Sequence, residues 1–191
     1  MTARRPPVLP KVAWVWVIPP LATGLVVLAH PIIDPWHDGV TGLAPLVART
    51  DVWLAVHLAL LALFPLSALA LIQAVAGIES TGARLARLVL GIFGVVYAGF
   101  DTFAGLATGT IIRAARDLGA AEQSGVLLAV KGLFNSPITG VLFVFGTAAW
   151  TLGAVAAPLL FLDHPAPFGP VTFAAVATAL AWLARSGPSK D

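Results

Sequence analysis

Apolar residues form five long stretches along the chain, and the short segments between them hold most of the polar side chains. A helix needs roughly 20 apolar residues to cross a hydrocarbon core about 30 Å thick, because every backbone amide must be satisfied within the segment. The pattern therefore predicts an all-α integral membrane protein, a bundle of about five transmembrane helices in a single multi-pass domain. The predicted spans are residues 12–30, 52–78, 88–112, 136–162 and 168–184 of the 1–191 domain.

The connection between the third and fourth stretches has a pattern of its own. Residues 113–131 begin with polar side chains and end in an apolar run. An amphipathic segment of this kind predicts one short helix at the membrane interface, with an ordinary connecting helix as the alternative. The next helix is predicted to begin around Ser136 and Pro137, because serine caps helices and proline is tolerated in the first turn.

The composition also indicates a membrane protein. Hydrophobic residues make up 59% of the chain and charged residues 10%, with a mean hydropathy of +0.93, whereas soluble domains contain roughly 25% charged residues. The surplus apolar surface is predicted to face a lipid bilayer. No cluster of Lys and Arg is present, so a nucleic-acid partner is not expected. The few lysines beside many arginines, alanines and leucines are typical of a GC-rich genome, which favours a bacterial plasma membrane.

The distribution of basic residues orients the chain poorly. A cytoplasmic N-terminus leaves five Lys and Arg residues inside and six outside, so the positive-inside rule does not decide. The first helix usually dominates orientation, and the 31–51 connection carries more acidic than basic residues. Both features favour a cytoplasmic N-terminus.

Asp101 is the most informative single residue, since it lies near the middle of the apolar third stretch. An acid at such a depth costs on the order of 3 kcal/mol unless it is paired, protonated or hydrated. Tyr97, Asp101, Gly105 and Gly109 recur every four residues and so lie on one face of the helix. The two glycines form a GxxxG pattern that allows close helix packing. This face is predicted to contact protein rather than lipid.

His57 in the second stretch is a candidate partner for Asp101. Residue counts from the predicted helix ends place the two at depths that differ by about 9 Å, a gap that helix tilt or a shifted boundary would close. A bonded pair would fix the imidazole tautomer and bind a proton. Asp101, Tyr97 and His57 thus form a candidate polar intramembrane site. Alternatively, Asp101 bonds Tyr97, Thr102 or a tryptophan indole and only ties helices together.

A second group of candidates follows the first stretch. His30, Asp34, His37 and Asp38 carry imidazole and carboxylate ligands that suit a divalent metal, and His57 could join them. Their spacing matches no established metal motif, so a solvated loop is the alternative. His30 and His57 could instead ligate a haem between the first two helices. The cofactor therefore stays open among a metal, a haem and none.

Other sequence signals add little chemistry. Gly-rich phosphate loops, Ser-His-Asp patterns and HExxH are missing, which argues against familiar hydrolases. The chain has no cysteine, so it forms no disulfides and has no thiolate nucleophile. Five of the six tryptophans lie mostly near predicted helix ends and are expected at the membrane interfaces, namely Trp14, Trp16, Trp53, Trp150 and Trp182.

Two functional hypotheses follow from these features. The first is an accessory or structural subunit of a larger membrane complex, motivated by the small size and the uncharged helices. The second is a proton-linked transporter of a small solute, or a membrane enzyme, built around Asp101, Tyr97 and His57. Expected partners are other membrane subunits or further copies of this chain.

Overall fold

The computed structural model describes residues 13–31, 33 and 43–161, and this part of the chain is helical apart from short turns, with no β-strand. The prediction of an all-α protein is confirmed for these residues. The helices are α1 (Ala13–Ala29), α2 (Ala44–Ala48), α3 (Thr50–Ala74), α4 (Thr81–Phe100), a π-helical segment (Asp101–Ala107), α5 (Thr108–Ala114), α6 (Ala120–Phe134) and α7 (Pro137–Phe161).

Two of these helices are long and apolar enough to cross a membrane. They are Thr50–Ala74 and the continuous helix Thr81–Ala114, which contains α4, the π segment and α5. A third crossing results if Ala120–Phe134 and Pro137–Gly153, bent by 52° at their junction, form one broken span. The described residues therefore provide two or three candidate spans, and a five-span bundle is not established by them.

The predicted boundaries agree with the helices to differing degrees. The second and third predicted spans correspond to α3 and to Thr81–Ala114, and the fourth corresponds to α7. The first corresponds to α1, which has only 17 residues and is shorter than a full span. The predicted fifth span, 168–184, lies outside the described residues. A helix is present between the third and fourth spans, as predicted, and it is α6.

The junction before α7 shows why that helix begins where it does. Pro137 is the first helical residue, and the Ser136 hydroxyl accepts a hydrogen bond from the backbone N–H of Thr139 at 3.2 Å. The serine thereby satisfies a backbone donor that has no partner within the first turn. The predicted helix start at this point is confirmed.

The helices pack in a simple order in which α3 is central. α1 and α4 both lie against α3, and α7 lies on the other side of α4. Large apolar side chains such as Leu25, Leu58 and Val95 remain exposed, at 69%, 64% and 77%. Water solvates such surfaces poorly, whereas lipid tails match them. The outer faces of the helices thus suit a bilayer.

The π segment interrupts the long helix at the point where Asp101 stands. A π-helix accommodates an extra residue in its turn and occurs mostly as a short bulge, frequently at functional sites. Here it covers Asp101–Ala107 within the otherwise α-helical stretch Thr81–Ala114. The bulge changes the direction in which the following side chains leave the helix, and it packs against α3.

Candidate functional site

His57 and Asp101 meet in the interior of the protein. His57 Nδ1 lies 2.5 Å from Asp101 Oδ1, and the two residues are only 5% and 1% exposed. His57 comes from α3, and Asp101 is the first residue of the π segment. Two elements distant in sequence therefore place an acid and an imidazole in direct hydrogen-bond contact, away from solvent.

The glycine stripe brings α3 close to the helix that contains Asp101. Gly105 lies one turn after Asp101, and a Cβ atom placed on it would overlap the ring of His57. Because glycine has no side chain, the imidazole lies against the helix backbone, from where Nδ1 reaches the carboxylate. Gly109 lets α3 approach in the same way, since its Cβ would lie 2.6 Å from a Leu54 methyl carbon. A count of residues from the helix ends gives only the depth of each residue and takes no account of how closely two helices approach each other.

His30 joins the pair from α1. Its Nε2 lies 3.1 Å from His57 Nε2, and its Nδ1 lies 2.7 Å from the carbonyl oxygen of Pro31. His30 follows the last residue of α1 and is half-buried. A continuous chain of hydrogen bonds thus runs from Pro31 through both imidazoles to Asp101. We call His30, His57 and Asp101 the triad.

Trp53 is part of the site, although the sequence pattern had placed it at the membrane interface. It is 2% exposed, and its indole N–H donates to the carbonyl of Gly105 at 2.8 Å. Its ring centroid lies 4.3 Å from that of His57 and 4.7 Å from that of His30. The interfacial prediction is therefore wrong for Trp53. The polar tip binds the helix backbone, and the aromatic ring packs beside both imidazoles.

Tyr97 lies among aromatic rings. Its ring centroid is 4.6 Å from that of Phe64 and 5.3 Å from that of Phe100. A Cβ on Gly146 of α7 would lie 2.6 Å from Tyr97 Cδ2, so α7 also approaches closely here. Participation of the Tyr97 hydroxyl in the site stays a prediction. We call this group the aromatic cluster, comprising Phe64, Phe93, Tyr97, Phe100, Phe143 and Trp150.

Hydrogen-bond donors and acceptors fix how many protons the triad holds. The Pro31 oxygen only accepts, so His30 Nδ1 must carry a hydrogen. One hydrogen must also lie between the two Nε2 atoms, and another between His57 Nδ1 and Asp101 Oδ1. The three bonds need three hydrogens, whereas two neutral imidazoles and a carboxylate supply only two. The fully bonded triad therefore holds one additional proton and has no net charge.

That additional proton has three possible positions. It can reside on Asp101, or as a second N–H on His57, or as a second N–H on His30. The three arrangements differ only by hydrogens that shift along existing hydrogen bonds, so no heavy atom has to move. Removal of the proton leaves two lone pairs facing each other at one of the contacts, and addition of another leaves two N–H groups facing each other. The geometry thus favours the state with a single additional proton.

The geometry bears on the metal and haem hypotheses through His30 and His57 alone, since these are the candidate ligands among the described residues that come together. Asp34, His37 and Asp38 lie outside the described residues, and no group of three or more potential metal-ligating side chains occurs within 13–31, 33 and 43–161. His30 and His57 do come together, but their Nε2 atoms are bonded directly at 3.1 Å. This separation leaves no room for a porphyrin between the two rings.

One atom of the site has no partner among the described residues. Asp101 Oδ2 is buried and makes no hydrogen bond, whereas Oδ1 bonds His57. An oxygen in this position can accept a hydrogen bond or carry a proton. The arrangement can therefore hold a proton and pass it between Asp101 and His30. Comparison of the chain with protein-family models, with curated proteins and with solved structures found no match.

Proposed function

We propose that this protein binds and relays a proton inside the membrane, as part of the proton-linked handling of a small solute. The observation that carries the proposal is the hydrogen-bonded triad, whose three bonds require one proton more than two neutral histidines and a carboxylate contain. An acid that gains and loses this proton changes its charge at a depth where charge is expensive. Such a site can drive a conformational change.

The surroundings of the triad support a role beyond helix packing. Asp101 bonds an imidazole that itself bonds a second, half-buried imidazole, so the acid is connected to a less buried ionisable group. The adjoining π segment is a local irregularity of the kind that recurs at functional sites. Trp53 places an aromatic ring beside both imidazoles and holds the π segment through its indole N–H.

The wider setting of the proposal is a five-span protein of a bacterial plasma membrane with a cytoplasmic N-terminus. The candidate spans among the described residues are compatible with a membrane location. The remaining spans, the choice of membrane and the orientation rest on sequence features alone. Labelling of cysteines introduced one at a time, which is straightforward in a chain without cysteine, would test the orientation.

Infrared difference spectroscopy of the purified protein in lipid nanodiscs tests the proton site. The carboxyl C=O stretch of a protonated acid is resolved from that of a carboxylate, so a change from mildly acidic to mildly alkaline buffer reveals titration of Asp101. We expect a band in the wild-type protein that is lost in Asp101→Asn and retained in the control Asp117→Asn, which removes an exposed carboxylate. If Asp101→Asn leaves the buried carboxyl band unchanged, the proposal fails.

Metal analysis provides a second, independent check. Two imidazole nitrogens that face each other share either a proton or a metal ion. We expect the wild-type protein, purified without chelator, to contain no stoichiometric transition metal. A metal that is retained by the wild-type protein and lost in both His30→Gln and His57→Gln would replace the shared proton with a shared metal, and it would overturn the proposal.

Solute coupling is measured in vesicles that contain the protein and an internal pH-sensitive dye. Pools of amino acids, sugars, organic acids and amines are added outside in turn, and the internal pH is recorded. We expect one pool to move protons in wild-type vesicles and not in Asp101→Asn vesicles. If proton movement is identical in wild-type and Asp101→Asn vesicles, the triad takes no part in transport.

The accessory-subunit hypothesis stays a prediction. Native mass spectrometry of the protein extracted mildly from its own membrane would report a fixed heteromeric mass if it is a subunit, and a monomer or homo-oligomer if it acts alone. Either result is compatible with a proton site, because the triad lies within one chain.

A further inference from the structure

We infer that Asp101 exchanges its proton with only one face of the membrane, through His30, and that the aromatic cluster closes the route to the other face. This inference rests on the proposed proton site and adds the membrane face from which the proton enters and to which it returns. The face in question is the one where α1 ends and α3 begins, and we call it the His30 face. It also carries Asp51, which bonds Arg116 after the end of α5 at 3.0 Å.

The triad lies closer to the His30 face than to the opposite face. His57 is about two turns from the first residue of α3 and about five turns from its last. His30 directly follows α1 and is half-buried, whereas His57 and Asp101 are almost fully buried. Exposure therefore increases along the hydrogen-bonded chain from Asp101 to His30. A proton delivered to His30 can reach Asp101 by shifts along two existing bonds.

The route from Asp101 towards the opposite face is filled with aromatic side chains. Tyr97 stands one turn before Asp101 on α4, and Phe93 stands one turn before Tyr97, with ring centroids 5.4 Å apart. Phe93 is 1% exposed and contacts Phe64 of α3 and Trp150 of α7. Three helices thus contribute rings to one packed layer. The Tyr97 hydroxyl is the ionisable group of this cluster, and beyond it the rings of Phe93 and Phe64 offer no group that donates or accepts a proton.

Several polar groups of the opposite half bond one another or the backbone, whereas the buried Thr147 hydroxyl has no partner among the described residues. The hydroxyls of Thr23 and Ser67 bond each other at 2.8 Å, and Thr23 also bonds the carbonyl of Pro19 at 2.9 Å. Ser67 is about three turns from His57 along α3. Arg87 donates to the carbonyl of Val75 at the end of α3. None of these described groups bonds a member of the triad.

The charged side chains of the packed elements do not face the triad. His30 and His57 are the ionisable groups of the described chain that reach Asp101, directly or through one bond. Other charged residues on or beside the elements around the π segment bond neither His57 nor Asp101. They are Arg49, Asp51, Arg84, Arg87, Arg113, Glu122 and Lys131. Among the described residues, His57 bonds Asp101 directly and His30 bonds it through His57.

The test is a one-sided pH jump in sealed lipid vesicles. A unique cysteine on the His30 face, Asp117→Cys, reports with a membrane-impermeant maleimide the fraction of molecules whose His30 face is outside. Glu79→Cys, between α3 and α4, reports the opposite face. The internal pH is held by buffer, the external pH is changed, and the carboxyl band of Asp101 is followed by infrared spectroscopy.

We expect the fraction of Asp101 that follows the external pH to equal the fraction labelled at Asp117→Cys. His30→Gln removes the titratable ring, so it is expected to slow proton exchange by about a hundredfold. A fraction that matches Glu79→Cys labelling, or an Asp101 that follows both compartments at one rate, overturns the one-sided route. An unchanged exchange rate in His30→Gln overturns the role of His30. If Asp101 stays ionised while the infrared bands of the imidazole rings titrate, the route to Asp101 is overturned. If no member of the triad titrates, the proposed proton site fails instead.

Discussion

The interior of the described helices differs between its two halves: the half near the His30 face contains bonded polar groups, and the other half contains aromatic rings. On the His30 side, buried polar groups are joined into a chain in which nearly every donor meets an acceptor. On the other side, the aromatic cluster fills the interior with rings. The first half can change its charge at almost constant shape. The second keeps its shape and excludes both charge and water, so a substitution is expected to alter proton binding in one half and stability in the other.

The largest loss of stability is expected from Phe93→Ala. This side chain is 1% exposed at the centre of the aromatic cluster. The unfolded helices remain in lipid, so transfer from water contributes little, and the cost comes from the cavity and from lost contacts, about 2–3 kcal/mol. The control is Val95→Ala, which shortens a side chain that is 77% exposed. Thermal unfolding in detergent should separate the two, and equal midpoints would contradict a tightly packed cluster.

Gly105→Ala tests whether the close approach of His57 to the helix backbone is needed for proton binding and for stability. The added methyl group overlaps the His57 ring, so either the ring or the helix must move. We expect a loss of about 1–2 kcal/mol in the free energy of unfolding and a weaker Asp101 carboxyl band. In Gly91→Ala the added methyl group meets nothing within 4 Å. That control should change the free energy of unfolding by less than about 0.5 kcal/mol, because the helix persists in the unfolded state in lipid and the methyl group displaces nothing. A Gly105→Ala protein with wild-type titration would show that the close approach is dispensable.

Asp101→Asn is expected to separate function from stability. The amide can donate to or accept from His57 Nδ1, so the contact can persist, and the free energy of unfolding should change by no more than about 1 kcal/mol. Binding of the additional proton should nevertheless be lost, because an amide N–H that donates to His57 Nδ1 supplies the third hydrogen of the bonded chain without a further proton. Infrared spectroscopy and thermal unfolding of the same sample measure both effects. Loss of folding with Asn would assign Asp101 a purely structural role.

The smallest effect is expected for Asp51→Asn. Its carboxylate bonds Arg116 at 3.0 Å, but its side chain is 61% exposed. Exposed ion pairs contribute about 0.2–1 kcal/mol and are screened by salt. The substitution should therefore lower the unfolding midpoint slightly at low salt and not at high salt, with wild-type titration of Asp101. A strong effect on titration would show that this surface pair belongs to the proton route.

The sequence was sufficient for the positions of most described helices and for naming Asp101, His57 and His30 as candidates, but not for Trp53. Long apolar stretches located α1, α3, the helix containing Asp101, and α7 to within a few residues, except for the early start of the third at Thr81. Asp101 and His57 were identified because ionisable groups in apolar helices need a partner. His30 was identified as a potential ligand, and the structure places it in a different role, bonded to His57.

The contacts between helices could not be predicted in the same way. The hydrogen bond between His57 and Asp101 depends on the missing side chain of Gly105 and on the π segment. No sequence pattern predicted the π segment. Trp53 was misplaced because tryptophan near a helix end suggests a headgroup anchor, yet here its indole meets a backbone carbonyl of the π segment. Such close approaches depend on tertiary packing, which hydropathy does not encode.

The neutrality of the loaded triad has a further consequence in an energised membrane. A proton that enters from the His30 face crosses about a third of the hydrocarbon thickness to reach the level of His57. One elementary charge crossing the whole membrane at 100 mV is worth about 2.3 kcal/mol, so this partial path changes the ratio of loaded to empty triad about fourfold per 100 mV. The empty triad carries one negative charge and responds to the membrane voltage, whereas the loaded triad does not. Voltage would therefore act on the occupancy of the site and on movements of its empty form.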